Sequence, residues 1–175
     1  MNLKSLKNLP IILGLIVLAG GILAGVILST KKGPQTLLTR AGKEKVAVLY
    51  LWPAEIHVSP QEKTEVKIIL TTQGKTAGKA QARVRYNPET LQLLSIDNGT
   101  IFNRYTDKVI NQEKGIAEIK AQGNFSGTAT FATLNFVPQK ASESRVDFVL
   151  ASSKVEDENG ADILQGVNGG ILIVK

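Results

Sequence analysis

The chain holds one histidine, His57, and no cysteine. A nucleophile–histidine–acid triad needs an imidazole set between its partners, and a zinc centre needs three or four nitrogen, sulfur or carboxylate ligands. His57 lies in an alternating Glu55-Ile-His-Val58 run, which makes it a solvent-facing strand residue rather than a base. The densest acidic run is Asp157-Glu-Asn-Gly-Ala-Asp162. It falls short of a calcium loop, because Ala161 stands where an oxygen ligand is wanted and no glutamate closes the spacing. Its Asn159-Gly160 pair is a hairpin-turn signal instead. No two carboxylates stand apart as a hydrolytic pair. We therefore expect no enzyme, no metal and no cofactor, and binding is the activity left.

Two sets of side chains could carry binding. One alternates along a strand as Lys79, Gln81, Arg83 and Arg85, with Glu118, Lys120 and Gln122 on a second strand. Arginine is enriched at interfaces, so this is the candidate surface for a protein partner, although cross-strand pairing of these charges would also account for them. The other set is Tyr50 and Trp52, which share one side of a strand and could stack a sugar ring. A polysaccharide is thus the alternative ligand.

Charge and hydropathy organise the rest. The first 45 residues carry seven basic side chains against Glu44, which is the whole formal charge of +6, and residues 46–175 balance at 14 basic and 14 acidic. A pI near 9.6 therefore gives no nucleic-acid footprint on the folded part. The basic excess brackets residues 9–28, twenty residues without a formal charge. At about 1.5 Å per residue that run reaches the ~30 Å of a bilayer core. We read 1–8 as a short basic tail, 9–28 as a single-pass transmembrane anchor and 29–45 as a juxtamembrane linker. A cleavable signal peptide is the competing reading, but the apolar run exceeds the usual h-region of about 7–15 residues. A positive-inside count would hold the carboxyl domain in the cytoplasm, yet large domains cross largely regardless of such charges. We expect that domain to be extracellular.

Residues 46–175 have a periodicity of two. Thr64–Leu70, Ala80–Tyr86, Gly115–Gln122 and Thr128–Phe136 alternate, and further strands are expected at Val46–Trp52, Glu55–Val58, Leu91–Ile96, Lys108–Asn111, Arg145–Ser152 and Gly170–Val174. Turn pairs such as Gln73-Gly74, Asn87-Pro88, Asn98-Gly99 and Asn159-Gly160 punctuate them. Short, half-buried strands without a long helix predict an all-β fold, a two-sheet antiparallel sandwich.

Glu62–Leu70, followed by Ala82-Arg-Val-Arg-Tyr-Asn-Pro-Glu-Thr-Leu-Gln-Leu-Leu-Ser-Ile-Asp-Asn-Gly99, resembles the opening of a cohesin domain. Asn87 stands where that family usually has aspartate. Thr128–Val137, the acidic hairpin at Val155–Gly160 and the closing Gly166–Val174 segment extend the resemblance over nearly all of 46–175. It implies a jelly roll of about nine strands and a non-catalytic module, displayed by the anchor on a bacterial cell surface, that docks a calcium-loaded dockerin or another envelope protein on an exposed sheet face. Cellulosomal members tend to carry asparagine and aspartate where Lys79 and Gln81 stand. The resemblance also implies that the strands bearing Arg83 and Glu118 are neighbours.

Overall fold

The computed structural model describes residues 45–175 together with the backbone of Leu38–Thr39. The proposed tail and anchor, and the rest of the linker, lie outside the described residues. Among the described residues no helix is long and apolar enough to cross a membrane.

The alternating sequence forms thirteen strands: β1 (Leu38–Thr39), β2 (Ala47–Trp52), β3 (Glu55–Val58), β4 (Thr64–Thr71), β5 (Ala77–Tyr86), β6 (Leu91–Asn98), β7 (Arg104–Asn111), β8 (Ile116–Phe125), β9 (Thr128–Pro138), β10 (Ser142–Phe148), β11 (Lys154–Asp157), β12 (Leu164–Asn168) and β13 (Gly170–Val174). One sheet runs β1-β12-β2-β4-β9-β6. The other runs β3-β13-β10-β5-β8-β7, and β11 also pairs with β5. The all-β, two-sheet sandwich expectation holds. The count exceeds nine because β1 lies in the stretch read as linker, β11 in the acidic hairpin and β12 at the start of the closing segment.

The expectation of purely antiparallel pairing is corrected at two places. β12 runs parallel to β2, and β13 runs parallel to β3. The chain leaves one sheet for the other at Pro53–Ala54 and again at Gly169, so two adjacent segments cross side by side in the same direction. Ile171 N–H donates to Ala54 O at 2.9 Å at this crossing. Alternation reports which face a residue takes, but it carries no information on a partner strand's direction.

The core explains how β5 and β8 are held. Ala80, Ala82, Ala117 and Ala121 line the inner face of β5 and β8, and all four are buried. Their small volume leaves room for the fully buried rings of Phe131 and Phe136 on the opposite sheet. Tyr86 meets Phe136 edge-on at 5.3 Å between centroids, and Phe102 meets Phe131 at 5.9 Å, in the T-shaped geometry that aromatic quadrupoles favour. At the turn into β8, Gly115 has φ +58°, and an added Cβ would stand 2.0 Å from Tyr86 O. Only glycine fits there.

The open edges of β6 and β7 are joined by side chains. Gln112 accepts from Tyr86 Oη at 2.8 Å and from Leu93 N–H at 3.3 Å, and it donates to Leu91 O at 3.2 Å. Lys108 Nζ donates to Ile96 O at 3.1 Å. These contacts occupy edge groups that would otherwise be free to pair with another chain.

Candidate binding face

Strand β5 shows the expected alternation, with Ala80, Ala82, Val84 and Tyr86 buried and Lys79 and Arg85 exposed. Its antiparallel register with β8 sets Lys79 opposite Gln122, Gln81 opposite Lys120, and Arg83 opposite Glu118. The seven residues chosen from sequence therefore share one sheet face across two adjacent strands.

Glu118 is the hub of that face. Its carboxylate lies 2.8 Å from Lys120 Nζ and 3.9 Å from an Arg83 guanidinium nitrogen, and it accepts from Gln81 Nε2 at 3.3 Å. Lys120 Nζ also lies 3.3 Å from Asp107 of β7. These bonds, to Glu118 first and then to Asp107, raise the Lys120 ammonium above its ordinary range. A second cluster forms where β11 joins β5: Glu156 pairs with Lys154 and lies 3.9 Å from Lys79. Between the two clusters is a depression of about 150 Å3, lined by Lys79, Gln81, Thr106, Lys120, Gln122, Lys154 and Glu156.

Arg83 was expected to be exposed, and it is half-buried instead. β10 pairs with β5 as far as Val84, and β11 takes over at Gln81. In the gap, the 3-10 turn Leu150–Ser152 runs beside the Arg83 backbone. Val149 N–H donates to Arg83 O at 2.8 Å, and Arg83 N–H donates to Ser153 Oγ at 3.2 Å. The Arg83 Nε atom is buried without a hydrogen-bond partner. Arg85 is exposed.

Several contributors to this face were missed from sequence: Lys154 and Glu156 of β11, and Arg104, Thr106 and Asp107 of β7. A period-two signal was available in Lys154-Val155-Glu156, where Val155 is fully buried between outward charges. It was masked by the turn at Asn159-Gly160. That turn closes on Asp157, whose Oδ1 accepts from Asn159 N–H and Ala161 N–H, both at 2.9 Å. The acidic run is thus a capped hairpin. Among the described residues no cluster of three or more histidine, cysteine or acidic side chains is arranged to hold a metal ion.

Tyr50 and Trp52 lie on the opposite sheet, away from the charged face. Trp52 is 54% exposed, and Lys67 Nζ sits 5.6 Å from its ring centroid, within cation–π range. Tyr50 is half-buried beside it. His57 is exposed on the edge strand β3 and bonds Glu55 Oε1 at 3.0 Å.

The described residues form a two-sheet β-sandwich with one broad polar face. The cohesin-domain family model matches residues 55–173, and the chain belongs to the cohesin family. Cohesin domains are non-catalytic interaction modules. Solved cohesins superpose on the sandwich at low identity. The third cohesin of ScaC from Acetivibrio cellulolyticus, in complex with the ScaB dockerin, is 18% identical, covers 73% of this chain and 98% of its own, and has a TM-score of 0.65. The OlpC cohesin of a type I cohesin–dockerin complex from Clostridium thermocellum is 12% identical, with coverages of 78% and 97% and a TM-score of 0.69. A non-cellulosomal cohesin from the archaeon Archaeoglobus fulgidus is 9% identical, with coverages of 74% and 91% and a TM-score of 0.63. No curated protein sequence matches the chain.

Proposed function

We propose that this chain is a non-catalytic protein-binding module that captures a dockerin-like partner on the face built by β11, β5, β8 and β7. The observation that carries this reading is the register of β5 on β8 within a cohesin-family sandwich. It gathers Lys79, Gln81, Arg83, Arg85, Glu118, Lys120 and Gln122 on one solvent-facing surface. The apolar run at residues 9–28 would tether the module to the cell membrane as a single-pass anchor, with the sandwich outside the cell. The test is capture of calcium-loaded dockerin modules by the full chain. Arg83→Glu together with Arg85→Glu should weaken capture most at low salt, where exposed charges are least screened.

A polysaccharide ligand is the second reading, favoured by the exposure of Trp52 beside Tyr50. The two sets occupy opposite sheets, so mutation separates the readings. Loss of binding on Trp52→Ala, with the Arg83 and Arg85 variant unaffected, would move the function to the aromatic face.

A further inference from the structure

We infer that the partner surface seated on this face is acidic, with carboxylates that meet Arg85 and Arg104, about 20 Å apart at the ends of the face. The inference rests on the protein-binding reading above and adds the chemistry of the partner. Its basis is the balance of donors and acceptors on the face. The carboxylates of Glu118, Glu156 and Asp107 are all engaged by neighbouring ammonium groups. The exposed guanidinium groups of Arg85 and Arg104 carry no ion pair within the described residues. With Asp147 of β10 opposite Arg85, six basic side chains (Lys79, Arg83, Arg85, Arg104, Lys120 and Lys154) stand against four carboxylates on this face, so positive charge is left over.

The geometry places the unpaired guanidinium groups at the two ends of the face. Arg85 stands opposite Ile116 and Arg104 opposite Gln122 on β8, six residues apart, which at about 3.3 Å per strand residue is about 20 Å. Between them the depression is ringed by Lys79, Lys120 and Lys154, with Glu156 as its one carboxylate. Glu118 and Asp107 hold Lys120 at its border, so the three ammonium groups of the centre are matched by three carboxylates. A lysine or arginine from a partner would meet like charge at both ends of the face. Potentials of this kind select partners and orient their approach even where each exposed pair adds little affinity.

The test uses the nitrogen-15-labelled full chain in a detergent with an uncharged headgroup, titrated with an acidic dodecapeptide of Glu-Ala-Ala-Ala repeats and with its lysine counterpart. The acidic peptide should shift the amide signals of Gln81, Arg85, Arg104, Lys120 and Gln122, and the shifts should fade as salt rises from about 20 mM to about 300 mM. The lysine peptide should leave them in place. Arg85→Glu with Arg104→Glu should weaken acidic-peptide binding about tenfold, while a dispersed amide spectrum verifies the fold. Shifts caused by the lysine peptide, or no shift on this face with the acidic one, overturn the inference. A parallel arm captures the calcium-loaded dockerin modules of the two bacterial complexes. Capture that is indifferent to the double reversal and to salt also overturns the acidic-partner inference but leaves the dockerin reading standing. Acidic-peptide binding without dockerin capture supports the inference and removes the dockerin reading.

Discussion

Replacing Val84 with aspartate tests the register on which the whole face depends. Val84 is fully buried at the centre of β5, opposite Ala117 on β8 and Phe148 on β10, both themselves buried. Nothing polar in that layer can receive a carboxylate. Losing the valine contact removes about 2 kcal/mol. The aspartate must also enter protonated, which adds about 1.4 kcal/mol for each pH unit above its unfolded pKa of about 3.9, or about 4 kcal/mol at pH 7. The sign follows from burial: the folded-state pKa is raised, so the penalty is small below pH 4 and grows as pH rises. A loss of about 6 kcal/mol at neutral pH is comparable to the whole stability of a domain this size. Urea unfolding followed by far-ultraviolet circular dichroism should show Val84→Asp largely unfolded at pH 7 and partly recovered at pH 4. Val84→Asn should show no such slope between those pH values. Arg83→Asp should lose only about 1 kcal/mol, since its side chain is 36% exposed and its contact with Glu118 spans 3.9 Å. Equal damage from Val84→Asp and Arg83→Asp, or a pH-independent Val84→Asp, would refute the assignment of faces on β5.

Burial pushes the Tyr86 phenol up to about 12, so the stability tied to its neutral form should hold below about pH 10 and be lost between about pH 10 and 12, visible as a late step in tyrosinate absorbance that coincides with alkaline unfolding. Gln112→Ala removes an acceptor for Tyr86 Oη and Leu93 N–H and a donor to Leu91 O; it should lower the free energy of urea unfolding by about 2–3 kcal/mol. Gly115→Ala combines a positive φ with a Cβ 2.0 Å from Tyr86 O and should lower the thermal midpoint by about 10 °C, corresponding to about 3 kcal/mol.

What could be read from the sequence was local. The alternation of β5 identified its inner and outer residues because each side chain's face is set by the backbone pleat alone. That the strands bearing Arg83 and Glu118 are neighbours came from the family resemblance, and β5 does pair with β8; the residue register did not come from it. Parallel pairing at β12 and β13, and the handover from β10 to β11 along β5, depend on where distant segments meet, and no local period encodes that. Beside the Leu150–Ser152 turn of that handover Arg83 is half-buried, while Arg85 is exposed. Two arginines that look equivalent in sequence therefore have different roles. Arg83 is held against Glu118 as part of the sheet's own charge lattice, whereas Arg85 is exposed, with Asp147 opposite it on β10, and is the one we propose meets a partner. Single reversals should separate them. Arg83→Glu should disturb the Glu118–Lys120 network and stability, and Arg85→Glu should act on capture alone. The outward residues of one strand thus divide between holding the face together and presenting it.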